Sequence, residues 1–252
     1  MPVVKARLSR LFKLIGTHNA DLLQDVLFNL KSESEIEGEE ISIEVQSDRV
    51  DMFSVEGIAN AVKLYLEIAK PSLMTIESTD FKVYVDAPSK RPYIAIAAVK
   101  NVNLNDELLK DLIEFQERLH ATFGRNRRRV AIGLHDLDKL PSKTICYRDV
   151  DIDQTYMVPL HDYRRMSVGD VLKTTEQGML YGSISINNNM HPAILSGNEV
   201  ISLPPVINSS VTQLEPSTES ILIDVTGTDM NAVKVVLNTI IHALTLYSGS
   251  II

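Results

Sequence analysis

Cysteine is almost missing from this chain. Cys146 stands alone, so no internal disulfide can form, and such usage fits a reducing compartment. Cys146 lies in the apolar stretch Thr144-Ile-Cys-Tyr147, read as a strand, where no activating partner stands beside it and a lone cysteine behaves as a small hydrophobe. No apolar run reaches the length of a membrane span, and the charged start MPVVKARLSR carries no signal-peptide core. A glycine-rich phosphate loop, a strand–turn–helix serine elbow and an internal repeat are also lacking. Positive charge is short: 25 Lys and Arg face 33 Asp and Glu, for a net charge of −8. That excludes a nucleic-acid surface spread over the whole molecule, though not a local basic patch. A cytoplasmic location, with no membrane partner, is expected.

What is present is 252 residues, 44% hydrophobic and 23% charged, enough for one large domain or two modest ones. Residues 1–15 carry Lys5, Arg7, Arg10 and Lys13 and read as a basic strand or strand–helix start. Leu22, Val26 and Leu30, with Leu23 and Phe28 alongside, mark a short amphipathic helix. The acidic stretch 31–40 ends in a glycine turn before a half-buried strand over 41–45. Val55, Ile58, Ala59, Val62, Leu66 and Ala69 share one helix face, stopped by Lys70-Pro71. Strands are expected over 81–85 and 93–99. A helix over 106–123 follows, with Leu108, Leu109, Leu112, Ile113, Gln116 and Leu119 inward and Gly124 as its stop. Residues 141–200 read as strands and loops, with strands over 145–147, 156–160, 179–186 and 191–195 and a short helix over 167–173. A helix over 229–247, capped by Gly249, closes the chain. The fold class is α+β: a small α+β domain over 1–88 with scarcely a core of its own, then a larger mixed-sheet domain over 89–252 with flanking helices.

The most informative stretch is Ile201-Ser-Leu-Pro-Pro-Val-Ile-Asn-Ser-Ser210 with its continuation over 220–229. Leu203-Pro204-Pro205 cannot sit inside a helix or a central strand, because each proline lacks an N–H and restricts the residue before it. Asn208, Ser209 and Ser210 add short polar side chains that bond nearby backbone. Residues 221–225 read as a buried strand, apolar apart from Asp224. A buried acid is costly unless something satisfies it, and Asp229 then serves as the N-cap of the last helix. A rigid polar turn beside a strand carrying one acid can build a small-molecule pocket. Bonds from turn N–H groups to Asp224 are the purely structural alternative.

Two other features compete with blander readings. Arg125-Asn-Arg-Arg-Arg129 is the one concentrated positive run: a solvated turn, or a contact to a phosphate backbone, which suits the planar fork of arginine. His135, Asp136 and Asp138 invite a metal or acid–base reading, but no further histidine or cysteine stands at ligand spacing. No metal is expected, and Asp138 is read as capping a turn.

Six motifs in order then become specific: Phe53-Ser-Val-Glu-Gly-Ile-Ala59, Arg91-Pro-Tyr93, LIEFQERLH over 112–120, VAIGLHDLDK over 130–139, Leu203-Pro-Pro-Val-Ile-Asn208 and Ile223-Asp-Val-Thr-Gly-Thr-Asp229. Together they resemble the beta subunit of phenylalanyl-tRNA synthetase in its archaeal and eukaryotic form, over essentially the whole chain. Arg49-Val-Asp51 departs from the family's Arg-Pro-Asp or Arg-Tyr-Asp. The family's subunit also continues into further domains, so the chain reads as a truncated piece rather than a free-standing editing protein.

The resemblance implies an editing domain over 89–252 that hydrolyses tyrosine wrongly esterified to tRNA(Phe). It leaves amino-acid activation to the alpha subunit, a partner with tRNA(Phe), and ATP and magnesium to the whole synthetase; editing itself needs no cofactor. On this resemblance Asp224 stands where the bacterial subunit has a glutamate assigned to the phenolic hydroxyl of tyrosine. Leu203 would wall the ring, and Asn208, Thr212 and Thr226 would hydrogen-bond the substrate or the attacking water. Backbone N–H groups near Ser209 would stabilise the oxyanion, and His135 would orient the water or the tRNA end. Arg125, Arg127, Arg128 and Arg129 would meet tRNA. With no serine–histidine pair visible, direct attack by water is expected rather than an acyl-enzyme. The alternative is a non-catalytic tRNA-binding or alpha-subunit-docking fragment, its pocket a relic and its basic first strand the docking edge.

Overall fold

Periodicity governs the first part of the chain even where charge argues against it. The computed structural model describes residues 1–71, 76–246 and 250–251. It opens with β1 (Val3–Arg7) and α1 (Leu8–Ile15), which stops at Gly16 in left-handed backbone, φ 86°. α2 (Ala20–Asn29) is capped by the Asn19 side chain, which accepts the Leu22 N–H. It buries Leu23, Val26 and Leu27, while Phe28, expected alongside them, is exposed. The acidic stretch, where the sequence marks no strand, is half of an antiparallel hairpin: β2 (Glu33–Glu37) and β3 (Glu40–Glu44) turn about Gly38, and β3 also pairs with β1. Glu33, Glu35 and Glu37 occupy alternate, solvent-facing positions, so the run of acids costs the strand nothing. α3 (Val55–Tyr65) is capped by Ser54 and ends short of the expected stop at Lys70. Glu67 adopts φ 58°, and the N–H groups of Ile68 and Ala69 both return to the Lys63 carbonyl.

The remainder runs β4 (Lys82–Val85), β5 (Tyr93–Lys100), α4 (Asp106–Ala121), β6 (Val130–Asp136) and β7 (Thr144–Asp151). The short pair β8 (Tyr156–Met157) and β9 (Met166–Ser167) leads to α5 (Val168–Thr174) and α6 (Glu176–Tyr181). Then come β10 (Met190–Ser196), β11 (Glu199–Leu203), β12 (Ile207–Asn208), β13 (Ser220–Gly227), α7 (Met230–Thr245) and β14 (Ser250–Ile251). The strand expected over 179–186 is instead the end of α6 and a short 3-10 turn, because the Thr175 hydroxyl caps the segment by accepting the Gly178 N–H. Met179 and Leu180, which suggested a buried strand, are exposed. The cap expected at Gly249 lies outside the described residues.

Two sheets face each other. One has the order β14-β5-β13-β6, all antiparallel; the other is β12-β11-β10-β7-β4, antiparallel except for the parallel β4–β7 edge. In β13 successive side chains go to opposite faces. Ile221, Ile223 and Val225 enter a large core with Leu112, Phe115 and Leu119 of α4 and Val233, Val236, Ile240 and Leu244 of α7. The same cluster takes in Val4, Leu11, Leu23, Ile41, Ile58 and Val62, so one apolar body extends across residue 88. On the other face Leu222 packs between the sheets with Ile145, Tyr147, Ile194 and Ile201. The mixed α+β architecture read from sequence is the observed one. No helix among the described residues is long and apolar enough to cross a membrane.

Candidate functional site

Where the two sheets diverge, a cavity of about 710 Å³ opens. β6 and β13 form its floor, and the turn between β11 and β12 forms one wall. α4 and α6 form its rim. Leu109, Ile113, Leu134, Leu160, Leu180 and Leu203 make its lining largely apolar. α4 therefore has two working faces: Leu112, Phe115 and Leu119 enter the core, while Ile113, read as core from its spacing, is 49% exposed and borders the cavity.

One charged group lies on the floor. Asp224 is 1% exposed and lines the cavity, as the period of β13 dictates once Ile223 and Val225 face the helices. Its Oδ2 is 2.8 Å from His135 Nε2, and the other ring nitrogen of His135 is 2.7 Å from Thr212 Oγ1. A carboxylate only accepts, so Nε2 carries the proton; in neutral imidazole Nδ1 then accepts the threonine O–H. Gly133 stands opposite Asp224 in the β6–β13 register. A Cβ there would fall 1.9 Å from Oδ2 and 3.0 Å from Nε2, so the pair exists because that position is glycine. Among the described residues the side-chain hydrogen bond of Asp224 is the one made by Oδ2 to His135, and the residue itself lines the cavity.

The other expected site residues divide. Leu203 is fully buried and forms the wall with Pro204, Pro205 and Val206, a turn closed by the Val206 N–H donating to the Leu203 carbonyl at 2.6 Å. Asn208 lines the cavity and bridges the sheets: its amide donates to the Leu134 carbonyl at 3.2 Å, and its oxygen accepts from Ser202 at 2.9 Å. Thr212 lines it as well. Thr226 does not. Its side chain follows Asp224 on the same strand face but accepts from Arg91 Nε at 2.7 Å, beyond the cavity lining. Nor does Ser209 offer a free oxyanion donor: its N–H goes to the Ile201 carbonyl, its hydroxyl to Val158, and the Ser210 N–H also to Val158. Backbone donors already spent on sheet pairing cannot stabilise a developing charge.

The arginine run also splits. Arg125, Asn126 and Arg127 hold left-handed backbone. Arg125 and Arg128 are exposed. Arg127 turns inward, donating to the Pro205 and Val206 carbonyls and to Glu117, with its guanidinium 4.5 Å above the Tyr181 ring. Arg129 pairs with Asp229 at 2.8 Å and stacks on Phe123. Burial works to raise the Glu117 carboxyl, but His120 and Arg127 outweigh it and hold it at about 2. Arg127 and Glu117 thus clamp the proline turn to α4 at the cavity rim.

Sequence reasoning gave Arg91 no role, yet it is wholly buried beneath the floor. It donates to the hydroxyl and carbonyl of Thr226 and to the Arg127 carbonyl, while Tyr147 donates to its own carbonyl. Burial pulls its pKa down to about 10, with the Asp224 carboxylate working in the opposite direction. The signal in the sequence is the arginine of Arg91-Pro-Tyr93, adjoining an apolar strand. The metal reading of His135, Asp136 and Asp138 finds no convergence: Asp136 accepts from Thr218 and the Asp138 N–H, and His135 faces Asp224. Among the described residues no group of three or more His, Cys, Asp or Glu is placed to hold a metal ion.

No protein-family model matches the chain. Curated relatives do: it is 44% identical over 232 residues to the phenylalanine–tRNA ligase beta subunit of Saccharolobus solfataricus and 42% identical over 233 residues to that of Sulfurisphaera tokodaii. Each match covers 91% of this chain, which spans 42% and 43% of those proteins. Among solved structures, an N-terminal fragment of the phenylalanyl-tRNA synthetase beta subunit from Pyrococcus horikoshii superposes with a TM-score of 0.91 at 30% identity, over 99% of this chain and 75% of that one.

Proposed function

The chain belongs to the phenylalanine–tRNA ligase beta-subunit family, and we propose that its cavity edits: it hydrolyses tyrosine wrongly esterified to tRNA(Phe). The single observation that carries this reading is a buried carboxylate, Asp224, in the lining of an apolar cavity, with one oxygen bonded to His135. A tyrosyl ring fits between the leucine walls with its hydroxyl donating to Oδ1. Phenylalanine would enter the same slot and leave that oxygen dry and unbonded. A site built to bond a hydroxyl rejects the analogue lacking it by up to about four orders of magnitude.

At the ester end, Asn208 and Thr212 are the polar groups of the lining that orient the attacking water. Water adds to the carbonyl, the bond to the terminal ribose oxygen breaks, and that oxygen takes up the proton the water gives away. Thr226 and Arg91 hold the floor strand rather than the substrate. Exposed Arg125 and Arg128 serve the tRNA backbone, while Arg127 shapes the rim and Arg129 holds Asp229. Amino-acid activation, with ATP and magnesium, belongs to the alpha-subunit partner and the rest of the synthetase.

The test is release of labelled amino acid from Tyr-tRNA(Phe) and Phe-tRNA(Phe) at high protein concentration. Release of tyrosine alone, lost in Asp224→Ala, is the expected result. A folded chain that binds tRNA and releases neither amino acid favours the second reading, a docking or tRNA-binding fragment.

A further inference from the structure

The hydrogen-bonded line from Asp224 through His135 to Thr212 does more than satisfy a buried acid. All three side chains are buried, at 1%, 0% and 1% exposure, and the two outer ones reach the cavity wall while the imidazole between them does not. The imidazole with its bonds of 2.8 and 2.7 Å spans about the length of a tyrosyl residue from phenolic oxygen to carbonyl carbon. A substrate whose hydroxyl meets Asp224 and that lies alongside this line brings its ester toward Thr212.

We propose that His135 is a positioning residue that joins recognition to hydrolysis: Asp224 both accepts the substrate's hydroxyl and fixes the imidazole tautomer that lets Thr212 receive a proton from the attacking water. This rests on the editing reading. Because Oδ2 can only accept, Nε2 bears hydrogen; in the neutral imidazole Nδ1 is then bare, the threonine O–H points to it, and the threonine lone pairs are left to accept from water. As water adds to the carbonyl, its proton passes to Thr212 Oγ1 while the threonine hydrogen moves to Nδ1. Asp224 then faces an imidazolium. The same route returns the proton to the leaving ribose oxygen, so one water is consumed and the groups end as they began. If Asp224 only read the hydroxyl, an apolar replacement would turn the site into a phenylalanyl-ester hydrolase. On the relay it does not, since the tautomer is lost with the carboxylate.

Asp224→Leu in the full chain decides between them. The expected result is that tyrosine release falls by about 10²-fold or more, the contribution typical of assisted proton transfer, and that Phe-tRNA release does not rise. Phe-tRNA hydrolysis by Asp224→Leu near the wild-type rate on Tyr-tRNA overturns the proposal. His135→Gln keeps a donor for Asp224 but leaves Thr212 unpartnered, and is expected to lose kcat with KM little changed; retained kcat overturns it too. Nitrogen NMR of the His135 ring needs no turnover. The wild-type chain should show protonated Nε2 and bare Nδ1, and Asp224→Leu should lose that preference. The same tautomer in both, or protonated Nδ1 in the wild type, contradicts the relay. A wild-type chain that hydrolyses no ester would sink the editing reading, whereas the NMR spectrum still judges the relay.

Discussion

The two faces of β13 differ in what they ask of a side chain. On the helix side, Ile221, Ile223 and Val225 are held by area alone and join a core reaching from Val4 to Leu244. On the sheet side, Leu222 is followed by Asp224 and Thr226, each buried and each bonded to a single partner side chain, His135 and Arg91. The first face tolerates any apolar residue of the right volume; the second works only with its particular partners. Stability and chemistry are thus separated by one residue step along a single strand.

The largest expected effect breaks the comparison from the dry face. Ile223→Ala should cost about 2–5 kcal/mol, as other buried isoleucine truncations do, read as a fall in the urea midpoint. The surviving folded fraction should keep its preference for tyrosine. A stability loss under 1 kcal/mol, or a loss of preference, would show that the faces are not independent.

Next comes a buried histidine that lacks what His135 has. His191 is fully buried with Nε2 unpartnered, and burial lowers its pKa to about 4. The unfolded chain binds this proton more readily. Its contribution is therefore complete above about pH 6.5 and lost as pH falls toward about 4, on the order of 3 kcal/mol in all. Denaturant titrations across that range should show the loss in the wild type and a flatter profile in His191→Leu. Parallel profiles would refute it.

Gly133→Ala sharpens the polar face. The new Cβ would displace the Asp224–His135 pair, so tyrosine release should fall about 10²-fold, with near-normal folding checked by circular dichroism. Unchanged release would mean that the pair is not needed. Smallest is the effect at the exposed arginines: Arg125→Glu with Arg128→Glu should raise KM for tRNA a few-fold and flatten its salt dependence, leaving kcat alone. An unaltered salt slope removes them from the tRNA interface.

Much of the frame is legible in the sequence because it rests on period: the apolar alternation of β13, the stripe of α7 and the cap at Asp229 are local facts. β2 was hidden because its acids occupy the outward half of an alternation whose inward half is only Ser34 and Ile36. The site was half legible. A lone acid in an apolar strand and a double proline mark Asp224 and Leu203. The bonds from His135 to Thr212 and Asp224 join residues 77 and 89 positions apart, and no spacing rule spans that distance. The same holds for the arginine run, where the backbone is left-handed at Arg125, Asn126 and Arg127 and one guanidinium reaches the rim while others meet solvent.

The central claim is that Asp224 reads a hydroxyl, and calorimetry with non-hydrolysable amide analogues of tyrosyl- and phenylalanyl-adenosine tests it most directly. The tyrosyl compound should bind about 10²-fold more tightly, the worth of a hydrogen bond to a buried charge, and Asp224→Leu should erase the difference. Equal affinity of the wild-type chain for both compounds would contradict the account.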